Sequence, residues 1–143
     1  MSRLALVNML IGFLVLSIAA AAGAFIASEL TDAYVSDPGL VKAWGPTLRA
    51  SAHGHVNLFA LTHIALGLTL PYSRFGTRIK LAQTIGLACG LVAMGPLMLW
   101  RAALGAPRGT DAVGVAIGLL LAVALAALAS HAAGLGARLI ERR

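Results

Sequence analysis

Between Arg49 and Pro71 the chain reads Arg-Ala-Ser-Ala-His-Gly-His-Val-Asn-Leu-Phe-Ala-Leu-Thr-His-Ile-Ala-Leu-Gly-Leu-Thr-Leu-Pro, a stretch that holds His53, His55 and His63, three of the four histidines. Imidazole carries protons near neutral pH and is the commonest protein ligand for metals. On a helix, at about 100° per residue, His53 and Asn57 stand one turn apart on one face. His55 is turned about 200° from His53, and His63 about 80° from each of them. His63 also lies roughly 15 Å along the axis from His53 and roughly 12 Å from His55. Ligating nitrogens must lie within ~2.1 Å of a metal. A metal cluster built from this helix alone is therefore disfavoured; it needs a break at Gly54 or a second helix.

Haem asks less of the protein. The macrocycle brings four ligands and needs one or two more. An iron held by one histidine keeps its opposite face open for substrate, and one held by two favours electron transfer. His53 and His55, one to two turns from Arg49 and so near one membrane surface, are candidate ligands on that ground. The alternative is that all three imidazoles hydrogen-bond across helices. His63 falls near mid-membrane. His131 lies about 20 residues beyond Asp111 and is expected as a polar residue at the opposite surface.

These residues sit in an apolar setting. Of 143 residues, 59% are hydrophobic and 11% charged, against about 25% charged in soluble domains, and the mean hydropathy is +0.89. One small integral-membrane domain is expected over residues 1–143. The single cysteine, Cys89, lies in an apolar run and reads as a small core residue. There is no nucleotide-binding loop, no pair of intramembrane carboxylates and no Ser-His-Asp set, which argues against nucleotide chemistry and hydrolysis.

Four apolar stretches, about Leu4–Ala27, Ser51–Tyr72, Ile79–Trp100 and Ala112–Gly136, each hold 22 or more residues, and roughly 20 suffice to cross the hydrocarbon core. The expected fold is all-α, a four-helix up-and-down membrane bundle. Arg3, the first apolar run and Ala20-Ala-Ala22 also resemble a secretory signal. The run continues to Ala27, so a retained helix is expected. Gly86-x-x-x-Gly90 and Gly114-x-x-x-Gly118 read as close-packing faces, and Pro96 should kink the third helix and free a carbonyl near Val92. Met94 and Met98 read as packing. The loop Ser28–Arg49, with Asp37-Pro38-Gly39 and Gly45-Pro46, reads as a solvated connector.

Basic residues orient the bundle. With a cytoplasmic amino terminus, Arg3, Arg74, Arg78, Lys80, Arg138, Arg142 and Arg143 lie inside, against Lys42, Arg49, Arg101 and Arg108 outside. Four of the five acids also fall outside, so the net charge of +6 lies on the inner face, beside anionic lipid. Both termini are expected in the cytoplasm, in a multi-pass protein of a bacterial-type inner (plasma) membrane. The basic balance then reflects topology and not a nucleic-acid partner.

The segment resembles the styrene oxide isomerase family, small four-helix membrane proteins that bind haem b. The likeness lies in Trp44, Arg49 and Ala52-His53, then Leu70-Pro71, Phe75 with a basic residue at Arg78, small-residue packing in the third helix, and Gly109-Thr-Asp111 opening the fourth. The resemblance implies that His53 is the axial ligand of haem b, with Arg49 and Trp44 near the cofactor; His55, a candidate cofactor-binding residue by its place on the helix, and His63 are extra to the family's pattern. It implies a ferric iron acting as Lewis acid on an epoxide oxygen, ring opening towards a benzylic cation, and a 1,2-hydride shift to an aldehyde. The substrate would be a small apolar epoxide drawn from the bilayer, and the assembly a homo-oligomer, a trimer by resemblance. The family's asparagine six residues after the ligand is Phe59 here, and Asn57 stands two residues earlier; both are candidates to line the pocket. Where the family's third helix supplies a tyrosine, this chain offers Met94, Met98 or Trp100. Two other functions are compatible with the residues alone: a b-type cytochrome pairing His63 or His131 with a second ligand, and a non-enzymatic subunit or assembly factor.

Overall fold

A computed structural model describes residues 2–141 of the chain; Arg142 and Arg143, which the charge argument places inside, lie outside the described residues. The described residues form helices and turns and no strand. Helix α1 spans Arg3–Ser36, α2 Trp44–Thr69, α3 Thr77–Val92, α4 Met98–Leu104 and α5 Ala112–Ile140. A five-residue π turn, Ala93–Leu97, joins α3 to α4, so Thr77–Leu104 is one long, interrupted helix.

Among the described residues, three segments are long and apolar enough to cross a membrane: Arg3–Ser36, Thr77–Leu104 and Ala112–Ile140. Helix α2 has the length, at 26 residues, but not the hydropathy. Arg49, His53, His55, Asn57 and His63 all ride on it, which is why the apolar count falls short.

The third and fourth expected helices each run about four residues further, to Leu104 and Ile140, and the first two differ more. α1 runs on to Ser36, so the connector shrinks to 37–43 around a short turn at Leu40–Lys42. α2 begins at Trp44 with Gly45-Pro46 inside its first turn. Proline is tolerated there because the first N–H groups of a helix have no intrahelical partner.

Small residues set the packing. A Cβ on Gly12 would stand 2.6 Å from the Ala60 carbonyl, and one on Gly67 2.7 Å from that of Ala5. α1 and α2 therefore cross antiparallel with their backbones nearly touching, the close approach expected of small residues between helices in lipid. Gly86 takes Ala127 and Val123 of α5, again antiparallel, and Gly90 takes the Phe59 ring of α2. Gly118 meets nothing within 4 Å, so the second glycine pair makes no such contact between helices. The interior holds Phe59, Leu66, Leu70, Leu87, Met94 and Met98, while both long outer helices display Leu, Val and Ile.

Candidate functional site

The four histidines have four different surroundings. His63 is fully buried, its Nδ1 2.9 Å from Asn8 Oδ1 on α1. His131, expected at an interface, is buried instead, its Nε2 2.8 Å from Thr69 Oγ1 at the end of α2. His55 faces outward, and its Nδ1 lies 2.8 Å from its own helix's Ser51 carbonyl. His53 alone of the four borders a cavity among those found.

That cavity, about 280 Å³, opens between α1, α2 and the π turn. Ala19 and Ala22 of α1, Ala52 and Val56 of α2, and Gly95 and Pro96 of the turn wall it with carbon. Pro96 makes the recess. It has no N–H to give the carbonyl one turn back, so the ladder shifts register and Met98 N–H reaches the carbonyl of Ala93. Such π turns frequently mark functional sites. The kink expected near Val92 is resolved in this way, as a bulge beside His53.

His53 is positioned from two sides. Asn57, one turn on, places Nδ2 3.2 Å from His53 Nε2. Gly23 of α1 lies flat against the ring, so that a Cβ there would overlap Cε1. His53 Nδ1 and Asn57 Oδ1 are buried without a hydrogen-bond partner. Buried polar atoms are nearly always paired, and an unpartnered nitrogen on the imidazole that borders this apolar recess marks a place where a ligand is to be sought.

The remaining candidates lie elsewhere. Arg49 reaches Glu29 of α1 at 3.8 Å on a half-exposed surface. Trp44 stacks under Arg101, 5.0 Å from ring centroid to guanidinium, and donates Nε1–H to the Arg101 carbonyl at 3.3 Å. Arg101 Nε in turn donates to Asp111 Oδ2 at 2.6 Å, and Asp111 Oδ1 caps α5 by accepting Gly114 N–H at 2.7 Å. The capping Gly114 N–H above all holds the Asp111 carboxyl below its ordinary range; burial opposes it, and the Arg101 guanidinium, by hydrogen bond and charge, adds to the lowering. Phe59 packs on Gly90 in the interior, and His55 points away. None of Trp44, Arg49, His55, Asn57 or Phe59 borders the cavity; of these Asn57 is hydrogen-bonded to His53.

No known protein-family model, curated protein or solved structure matches the chain. The site thus stands on its own geometry. Two residues are passed over in the sequence reading, Gly23 in this site and Asn8 beside His63. Gly23 sits in a run of small residues that looks like any membrane helix. Asn8, the one amide in the first apolar run, is a signal in itself, because an uncharged amide in hydrocarbon needs a partner.

No group of three histidine, cysteine or acidic side chains converges to hold a metal ion among the described residues. A cofactor that needs one protein ligand makes no such demand.

Proposed function

We propose that this chain is a four-helix up-and-down membrane bundle with both termini in the cytoplasm, holding haem b through His53 and isomerising a small apolar epoxide. The observation that carries the reading is the placement of His53. It is the one imidazole beside an apolar cavity, while Asn8, Thr69 and the Ser51 carbonyl engage the other three.

The donor set fits a single axial ligand. The His53 ring is held by Asn57 and flanked by Gly23, and one ring nitrogen is unused. For Nδ1 to act as the ligand, the Asn57 amide turns over so that its unpartnered Oδ1 accepts the His53 Nε2 proton; a ring N–H donated in that way fixes the orientation of a ligating imidazole and raises its basicity. Walls of alanine, glycine and proline suit a flat hydrophobic group. Ligand pockets commonly run from about 300 Å³ upward, so a recess of about 280 Å³ is small for a porphyrin, and a second copy of the chain is proposed to complete the walls. When bound, ferric haem supplies a Lewis acid that polarises an epoxide oxygen. The residues of this chain orient the imidazole, exclude water with a carbon surface and admit apolar substrate from the lipid side. Arg49 and Trp44 act at the outer rim, tying α2 to α1 and α4.

Optical spectra of the purified full-length protein, supplied with haem, test the reading. Wild type and His55→Ala are expected to show a Soret band that His53→Ala lacks. A wild type without Soret absorption ends the haem proposal, and an unchanged spectrum in His53→Ala rejects the ligand.

A further inference from the structure

The opposite end of the molecule carries a second recess, about 580 Å³, between the first turns of α1 and α3. Its rim holds Arg3, Lys80, Ser2 and Thr77, and its walls are Leu4, Val7, Leu81 and Pro71. Neither Arg3 nor Lys80 forms an ion pair with any described residue, and no acid borders the recess. The first turns of α1 and α3 contain no acidic residue, and Gly76 gives α3 no side-chain cap. Their N–H groups add partial positive charge to that of the two cations. The Thr77 hydroxyl bonds no described residue, and Ser2 accepts from Ala5 N–H and keeps its own proton to donate.

Two unpaired cations, free hydroxyls and helix amino termini around one hollow form a receptor for a tetrahedral oxyanion. The walls decide its source. Leu4, Val7 and Leu81 line the recess with carbon, and Val7 and Leu81 are each close to half exposed on the lipid-facing side. A free phosphate has no use for that surface; an acyl chain does. Basic recesses between membrane helices on the cytoplasmic side are where anionic headgroups bind.

We propose that this recess binds the phosphate of an anionic phospholipid, with Arg3 and Lys80 on the headgroup and an acyl chain along Val7 and Leu81. The inference rests on the membrane orientation proposed above and is independent of haem. A bound lipid would pin α1 to α3, two helices that are neighbours across the bundle rather than in sequence.

Thermal melting of the full-length protein in neutral detergent tests the site, since a ligand of the native state raises Tm. Added phosphatidylglycerol is expected to raise Tm of the wild type and of Arg78→Gln, whose side chain does not border the recess. Its apparent affinity should fall about tenfold or more in Arg3→Gln/Lys80→Gln, and recover in Arg3→Lys/Lys80→Arg. The single variant Arg3→Gln, in an exposed first turn, gives the same readout should the double variant fail to fold. An equal effect of phosphatidylcholine overturns the proposal, as does an equal loss in Arg78→Gln. An equal shift with inorganic phosphate at the same concentration overturns the lipid source. A Soret band missing from the same samples would bear on the haem reading alone.

Discussion

Asn8 Oδ1 stands 2.9 Å from His63 Nδ1 across the α1–α2 interface, with both residues fully buried. The polarity of this bond follows from its neighbours. The Lys80 carbonyl can only accept, so Thr84 donates to it at 3.0 Å. Thr84 Oγ1 then accepts Asn8 Nδ2 at 2.8 Å, which leaves Asn8 Oδ1 to accept the His63 Nδ1 proton. The imidazole is fixed in one tautomer, with a bare, buried Nε2. The chain of bonds ties α1, α2 and α3 together and gives His63 a structural task.

Removing one partner of this relay strands the others. Asn8→Ala leaves the His63 Nδ1 proton without an acceptor and Thr84 with only its bond to the Lys80 carbonyl, at a cost of about 1–3 kcal/mol; polar pairs in lipid often fall at the low end. His63→Ala should cost a similar amount. Because both changes break the same link, the double variant is expected to lose less than their sum. Unfolding of the four proteins in mixed detergent measures this, and strict additivity would show that the two residues do not act as a pair.

Gly23 sits under the His53 ring. Replacing a helical glycine by alanine normally stabilises by roughly 0.5–1 kcal/mol. At Gly118, with nothing within 4 Å, that gain should appear intact. At Gly23 the new methyl overlaps the imidazole, and overpacking costs about 1–3 kcal/mol, so collision outweighs propensity. Gly23→Ala is expected to melt below Gly118→Ala and, on the proposed function, to hold haem more weakly. Equal behaviour of the two variants would mean that the ring turns aside freely and that Gly23 positions nothing.

Asp111 links the cap of α5 to Arg101 and through it to Trp44. The Gly114 N–H, and after it Arg101, depress its pKa in the folded chain. A depressed carboxylate contributes stability above its unfolded pKa, near 3.9, and loses it as pH falls through the folded value. The wild type should therefore melt progressively earlier below about pH 4, while Asp111→Asn shows a flatter profile. Between pH 5 and 8 the difference between the two proteins should be constant. Melting curves across pH read this directly, and parallel profiles down to the lowest pH would remove Asp111 from the acid response.

The apolar runs and the face shared by His53 and Asn57 were legible because both follow from hydropathy and 3.6-residue periodicity. Helix ends were not. The change in composition after Ala27 marks where apolar sequence stops, whereas α1 continues to Ser36 because nothing in Ser28–Ser36 breaks a helix. Gly45-Pro46 carries a turn signal, yet proline in a first helical turn leaves no bond unmade, and α2 starts at Trp44. Phe59 and Asn57 are two residues apart in sequence and some 200° apart on the helix; periodicity separates them, and the structure puts Phe59 on Gly90 and Asn57 on His53. The partners Gly23, Asn8 and Thr69 come from other elements, and spacing within one helix carries no information about its neighbours.

Pro96 offers the sharpest test of whether the recess beside His53 is kept for use. Its π turn leaves Thr77–Leu104 with a weakened ladder midway along an otherwise regular helix, a defect that proline imposes at a cost of about 3 kcal/mol or more in an ordinary helix interior. Pro96→Ala restores the missing N–H and permits regular α register, which draws Gly95 and the residue at 96 inward and narrows the cavity. Stability is expected to hold or rise, while retention of haem or of an apolar probe falls. Stabilisation at the expense of binding is the usual signature of strain held at a working site. Should Pro96→Ala bind as well as the wild type, the bulge is a packing solution for α3, and the recess owes its shape to Ala19, Ala22 and Ala52 alone.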